Sequence, residues 1–572
     1  MRRPQILDCN LILTLIGSLI LIPACATAQS NSGGSPNIGS PDTVTADPPI
    51  QHPNVTPCDV KLFSNYLFEN FNTQTFTYNP PAACPGPWAK IVFTADFSVT
   101  AGRQYDRTGE IQIGNVTVYF GTTAEPSKHL SPSWHVERDL TDYTALLEQP
   151  QAGEVELGNL VNSTYTGIIH GSAGLRFYPL CQGEHAPLTP DVVLAFPNVA
   201  GAQILATPAS QLTQTYSLPT NIERAYFDVF AQSQSNDEFW YTCVPNDVAT
   251  ELQSCGNTAF RETEISIDGK PAGVAPVYPW IFTGGIDPYL WRPIPGVQTL
   301  NFAPYRVDLT PFAGLLSDGH THEIGMSVYN VNNYFNATAT LFLYLDHGSK
   351  QVTGELTENT LSAEPSPNVK ENLKTSGSNI SGTVTVSSSR DFTIAGYVNT
   401  SHGKVQTRLN QTMDFSNAQD FTINATRYVQ DIAQSTKLTL KTWVTNGGVV
   451  TESEKKLSFP LTVDIALTPN SDGSLAQATK INQRYLENNA DKWNGSLVYS
   501  SNLSNTVSAR DILDINSSFQ ITGHQDQSSA QHYFFSDSKG ECYSRDLTAA
   551  NDVLTSVTDG KGCPGGRNHY WA

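Results

Sequence analysis

Apolar and polar positions alternate with a period of two through most of this chain, in short runs bounded by Gly, Pro, Asn or Asp. Ile91-Val92-Phe93-Thr94-Ala95-Asp96-Phe97 reads as a buried strand, and Glu110-Ile111-Gln112-Ile113-Gly114-Asn115-Val116 as a half-buried one. Glu154 to Leu157, Ala225 to Phe230, Thr263 to Ile267 and Ala339 to Leu345 repeat the pattern. Only Thr141 to Glu148 suggests a short helix. The pattern predicts an all-β protein built from antiparallel β-sandwiches.

A chain of 572 residues is too long for one hydrophobic core. Arg2 and Arg3, the apolar run from Leu11 to Ile22 and Ala26-Thr27-Ala28 read as a signal peptide over residues 1–28. The alternative, a lipoprotein signal with Cys25 lipidated, fits less well because of Pro23. Residues 29–55 are rich in Ser, Gly, Pro, Asn and Asp and read as a flexible leader. Composition then predicts a first sandwich over 56–205, a second over 206–355, a linker over 356–377 and a β-rich region over 378–572.

The formal charge of -20 leaves no basic stripe and argues against a nucleic-acid partner. No other apolar run is long enough to span a bilayer, so the mature chain is expected to be secreted or periplasmic, with no membrane contact unless Cys25 is lipidated. A monomer is expected. An oxidising compartment favours disulfides, and short loops suggest Cys58–Cys84, Cys243–Cys255 and Cys542–Cys563. Cys181 is left over, as a buried free thiol. No zinc spacing is present; His320 and His322 read as a turn before a strand, and Asn470-Ser471-Asp472-Gly473 as a turn rather than a calcium loop. No metal or cofactor is expected.

The carboxylates are more informative. Asp106 and Arg107 stand side by side at a strand end, where an acid can activate water or form a structural ion pair. Glu125 precedes Pro126, Glu238 opens Phe239-Trp240-Tyr241, and Glu262 follows Arg261. Trp280, Trp291 and Arg292 come next. Acids and guanidinium can hydrogen-bond sugar hydroxyl and acetamido groups, while indole faces stack on pyranose rings. By these residues alone the chain reads as a secreted carbohydrate-active or carbohydrate-binding β-protein.

A family resemblance narrows this. Gly102-Arg103-Gln104-Tyr105-Asp106-Arg107, Thr123-Ala124-Glu125-Pro126, Ser163-Thr164-Tyr165-Thr166-Gly167, Glu238-Phe239-Trp240-Tyr241, Phe260-Arg261-Glu262, Phe282-Thr283-Gly284-Gly285-Ile286 and Leu290-Trp291-Arg292-Pro293-Ile294 occur in that order. Together with Phe392 to Val398 and Ser401 to Val405 they resemble the peptide-N4-(N-acetyl-β-glucosaminyl)asparagine amidase A family, the acid-active peptide N-glycanases. The resemblance runs from about Pro57 to at least Phe421 and is less clear beyond about Ser435. It implies two jelly-roll-like sandwiches with the site in the cleft between them. It also implies hydrolysis of the amide between Asn and the first N-acetylglucosamine, giving Asp and a glycosylamine. Asp106 matches the main catalytic acid, Glu262 is the candidate second acid, and Arg292 matches a substrate arginine. Arg107, Trp291, Trp280, Glu238, Trp240 and Glu125 are the other candidate substrate contacts. N-glycosylated peptides and glycoproteins are the implied partners. The rival readings are a non-catalytic glycan-binding β-protein and an endo-acting glycosidase with paired carboxylates.

Overall fold

The computed structural model describes residues 36–181 and 183–569. The expected signal peptide and Cys25 lie outside these residues. The chain forms antiparallel sheets joined by loops and a few helical turns. The first sandwich faces Cys58–Phe68, Ile169–Pro179, Trp88–Val99 and Ser133–Asp139 against Gln74–Tyr78, Gln151–Leu157, Thr108–Ile113 and Val116–Thr122, in those spatial orders. Its core includes Trp88, Phe93, Val118 and Phe177. The helical turns Thr141–Tyr143 and Thr144–Leu147 lie where the sequence predicts a helix.

The run read as one strand from Glu110 to Val116 breaks into two. Gly114 and Asn115 both adopt positive φ, the requirement of a tight hairpin turn between Thr108–Ile113 and Val116–Thr122. Apolar residues on either side hid the turn.

The second sandwich pairs Gln203–Leu205, Tyr334–Leu345, Ile222–Gln234 and Tyr305–Asp308, with Val192–Phe196 also on Tyr334–Leu345. Opposite lie Gln211–Ser217, Thr321–Val328, Glu262–Ile267 and Lys270–Pro276. Val192–Phe196 and Gln203–Leu205 therefore belong to the second sandwich, although composition grouped them with the first. His322 turns inward from Thr321–Val328 onto Asp268, while His320 is exposed beside Asp318.

The C-terminal region is one eleven-stranded antiparallel sheet. Several strands are very long, and Asn379–Thr400 and Gly403–Asn424 each have 22 residues. The segment expected as a linker supplies two of its strands, Thr353–Asn359 and Asn368–Ser376. One face of the sheet packs on the second sandwich through a continuous apolar core that includes Phe415, Phe459 and Leu461. Buried amide side chains add polar contacts across the junction. Asn417, Gln430 and Gln483 donate to the carbonyls of Tyr241, Thr242 and Pro279. A loop carbonyl buried without a donor costs stability, so these amides satisfy backbone that the second sandwich leaves open.

The expected leader is docked over its latter part. Thr43 N–H donates to Ser133 O, Val44 N–H to Pro293 O and Ala46 N–H to Gln531 Oε1. The disulfides Cys58–Cys84, Cys243–Cys255 and Cys542–Cys563 are present. Cys181 corrects the expectation: it is buried and disulfide-bonded, not a free thiol.

Candidate active site

The two sandwiches meet along Val116–Thr122. Thr122 N–H donates to Thr299 O at 2.9 Å, Phe302 N–H to Phe120 O at 2.8 Å, and Thr283 Oγ1 to Thr123 O at 2.6 Å. This seam brings the turn after Thr122, which carries Glu125, beside the Gly284-Gly285 turn of the second sandwich. Asp106 reaches the same place from the loop before Thr108–Ile113. Its Oδ2 accepts the Gly284 N–H at 3.0 Å, and its own backbone N–H donates to Glu125 Oε2 at 3.1 Å. A Cβ at Gly284 would lie 2.3 Å from Glu125 Oε2, so no larger residue fits without moving that acid.

Glu238 completes an acid cluster from the second sandwich. Neighbouring Asp237 is turned inward, where Arg261 binds it at 2.8 Å and the Asn332 and Asn333 N–H groups donate to it. With Asp237 anchored, Glu238 is left half-buried near Asp106 and Glu125. Burial raises all three carboxyl groups. Asp106 is raised by desolvation, offset by the Gly284 N–H and Arg107. Glu125 is pushed up to about 7 by desolvation and then by Asp106. Glu238 is pushed up to about 8 by desolvation, then by Asp106 and Glu125. Like charges this close cannot all ionise at neutral pH.

Two arginines edge the cluster. Arg107 Nη1 donates to the carbonyls of Tyr105 and Asp106, while its buried Nε and Nη2 have no protein partner. Desolvation lowers its pKa to about 10, so it keeps its charge through neutral pH. Arg292 Nε donates to Glu125 O at 2.8 Å, and its guanidinium lies 4.3 Å from the centre of the Tyr289 ring. Tyr105 and Tyr165 meet edge to face at 4.8 Å, and Arg103 lies over Tyr165. Sequence reading missed Gln104, whose buried amide atoms both lack a protein partner, and Gly284 as a backbone donor. The Thr283-Gly284-Gly285 run was the available signal for the latter.

Residues 47–362 match the family described as peptide N-acetyl-beta-D-glucosaminyl asparaginase amidase A, and residues 383–461 match its C-terminal domain. The chain belongs to this amidase A family. It is 28% identical over 539 residues to the peptide-N4-(N-acetyl-beta-glucosaminyl)asparagine amidase A of Prunus dulcis, covering 90% of this chain and 92% of that protein. PNGase F, a glycosylasparaginase from Flavobacterium meningosepticum, aligns with 51% of this chain and 96% of its own at 12% identity and a TM-score of 0.33. PNGF-II aligns with 51% of this chain and 65% of its own at 12% identity and a TM-score of 0.35.

Four expected site residues sit elsewhere in this family member. Glu262 is fully buried and bound by Arg390 of the C-terminal sheet, Nη2 to Oε1 at 2.6 Å and Nε to Oε1 at 3.0 Å. It joins domains and does not face Asp106. Trp240 packs against Phe415, Trp280 against Phe302, and Trp291 is buried with Nε1 donating to Gly285 O at 2.9 Å. None offers a ring face to a sugar, because each indole is needed to fill the core between sheets. The half-buried rings at the cleft belong instead to Tyr105, Tyr165 and Tyr289, and Tyr289 is stacked on by the His524 ring. The cation-type cluster among the described residues is Glu223, Asp346 and His402, at the junction of the second sandwich and the C-terminal sheet.

This reassignment has a direct test. Glu262→Gln should lower stability by roughly 3–5 kcal/mol, because it strands a buried guanidinium. Its kcat at a permissive temperature should stay near wild type. Thermal denaturation alongside kinetics checks this, and a large kcat loss at unchanged stability would return Glu262 to the catalytic centre.

Proposed function

We propose that this chain is a secreted peptide N-glycanase that hydrolyses the amide between an Asn side chain and the first N-acetylglucosamine, releasing Asp and a glycosylamine. The observation that carries this reading is Asp106, held by the Gly284 N–H across the domain seam with Glu125 and Glu238 beside it. Secretion is supported by the three disulfides among the described residues.

Amide hydrolysis needs an activated water, a donor for the developing oxyanion and a proton for the leaving nitrogen. Ionised Asp106 takes a proton from water as its oxygen attacks the amide carbon. The half-buried Arg292 guanidinium is suited to the carbonyl oxygen as it gains charge, while the buried charge of Arg107 favours ionised Asp106. Glu238, protonated below about 8, can deliver a proton to nitrogen as the C–N bond breaks. Glu125, raised to about 7, keeps charge off the cluster at acid pH. Tyr105 and Tyr165, half-buried at the cleft edge, suit contact with the sugar.

The pH dependence follows from these directions. Activity rises as Asp106 ionises, above its ordinary value because burial raises it. Activity falls as Glu125 and Glu238 lose protons, between about 7 and about 8. The three groups titrate together, so the limbs belong to the cluster. Glycan release from a glycopeptide, measured across pH, should give a bell with its maximum on the acid side of neutrality. A maximum well above pH 8 would contradict these protonation states.

A further inference from the structure

The arm that carries Gly284 and Arg292 is not held by its own sandwich alone. Ile286 has a φ of 65°, a conformation that β-branched residues rarely adopt. Backbone in that region needs its surroundings to hold it. The nearest supports come from the C-terminal sheet. Gln477 Nε2 donates to Ile286 O at 3.2 Å. Gln527 Nε2 donates both to Tyr289 O at 3.0 Å and to Arg292 O at 2.9 Å, and its Oε1 accepts the Asp552 N–H. The His524 ring stacks on Tyr289 at 3.7 Å, and the Arg292 guanidinium lies over the same tyrosine.

A second link is chemical. Asp287 is fully buried and caps the turn Pro288–Trp291, with Oδ1 accepting the Tyr289 N–H at 2.9 Å. Its Oδ2 and the Oδ2 of Asp511, on Ser496–Ile515 of the C-terminal sheet, are both buried and accept no hydrogen bond from a protein donor. Burial and the neighbouring Asp511 carboxyl push Asp287 up to about 7, and burial pushes Asp511 up to about 6, so on the acid side of neutrality the pair holds a proton that can bridge them. Facing this pair are His524, which contacts Asp511 Oδ1 at 3.1 Å, together with Asp552 and Arg292.

We propose that Gln527 and Asp511 of the C-terminal sheet are positioning residues for the catalytic arm, fixing Arg292 through its carbonyl and the Gly284 N–H through the Asp287 cap. Neither touches the acid cluster. They act through the 284–292 segment, whose displacement would separate Gly284 from Asp106 and Arg292 from Glu125. A misplacement of about 1 Å at a reacting centre can cost on the order of a hundredfold in rate. The C-terminal sheet is then part of what makes the site competent. This rests on reading the Asp106 cluster as the reactive centre.

The test uses the full chain with Gln527→Met, Asp511→Ala and Asp511→Asn. Met nearly preserves volume but removes the donor. Asn can give Asp287 the hydrogen bond that the shared proton supplies, so it is the rescuing variant. Two readouts are needed: kcat and KM on a glycopeptide, and amide hydrogen exchange of the 282–293 segment. Gln527→Met and Asp511→Ala should lower kcat by roughly tenfold to a hundredfold and speed exchange in that segment, with the first sandwich unchanged. Asp511→Asn should recover most of both losses. Wild-type kcat and exchange in Gln527→Met and Asp511→Ala would overturn the proposal, as would faster exchange spread evenly over both sandwiches. Asp511→Asn no better than Asp511→Ala would overturn the shared-proton link. If the wild-type chain releases no glycan, the amidase reading fails, and the exchange data still decide whether the arm is held in this way.

Discussion

Asp106→Asn should remove turnover and leave the fold intact. The amide is nearly the same size, and its oxygen can still accept the Gly284 N–H that Asp106 Oδ2 accepts at 3.0 Å. The backbone N–H of residue 106 still reaches Glu125. What disappears is the only charge in the cluster available to take a proton from water at acid pH. Removing a general base of this kind typically costs about 10²–10⁴ in rate. The variant should also relieve Glu125 and Glu238, since Asp106 raises both. Their protons should then come off at lower pH. Near-wild-type kcat with an unchanged circular dichroism spectrum would rule Asp106 out as the base.

Glu238→Gln is expected to be the next most damaging change, with a different signature. Gln is close in size and uncharged like the protonated acid, but it cannot give up a proton to the leaving nitrogen. The loss should be about 10²–10⁴ at the acid optimum. It should shrink for substrates whose leaving nitrogen needs less protonation. Stability moves the other way. Glu238 has a folded pKa raised above its unfolded value, so its contribution is most favourable below about 4.5 and is lost as pH rises towards about 8. Glu238→Gln should therefore become more stable relative to wild type as pH rises through that window. Thermal melts of both proteins across pH check this. A constant difference would mean that Glu238 is not held near Asp106 and Glu125.

Much of the site can be read from residue order, and the exceptions have physical causes. Asp106 with Arg107, Glu125, Glu238 and Arg292 come from four separate segments, and the structure brings them together. Glu125 and Arg292 each precede a proline, and Asp106 is an acid beside an arginine, patterns visible without coordinates. Glu262 carries the same local pattern, yet its partner Arg390 is 128 residues away, and nothing local distinguishes an interdomain ion pair from a catalytic acid. The tryptophans mislead for a related reason. Indoles serve sugar faces and sheet interfaces equally well, and here Phe415 and Phe302 occupy the faces of Trp240 and Trp280. Strand pattern gave the all-β class but not the extent of the C-terminal sheet. Its face bearing Asn417, Gln430, Gln483 and Gln527 looks solvent-facing in sequence, because buried amides that bond to loop carbonyls are written with the same letters as exposed ones. The supposed linker failed for the same reason: Asn368–Ser376 is a largely exposed edge strand, polar apart from Val369 and Leu373.

The most direct test of the whole account is the product on the peptide. A glycopeptide bearing one N-glycan is digested in ¹⁸O-labelled water with the wild-type chain and with Asp106→Asn, and the peptide is weighed. Amide hydrolysis leaves a sugar-free peptide in which Asn has become Asp, carrying one labelled oxygen, and the Asp106→Asn variant leaves the glycopeptide uncut. A peptide that keeps Asn and a residual N-acetylglucosamine would contradict the account, since cleavage would then have fallen on a glycosidic bond.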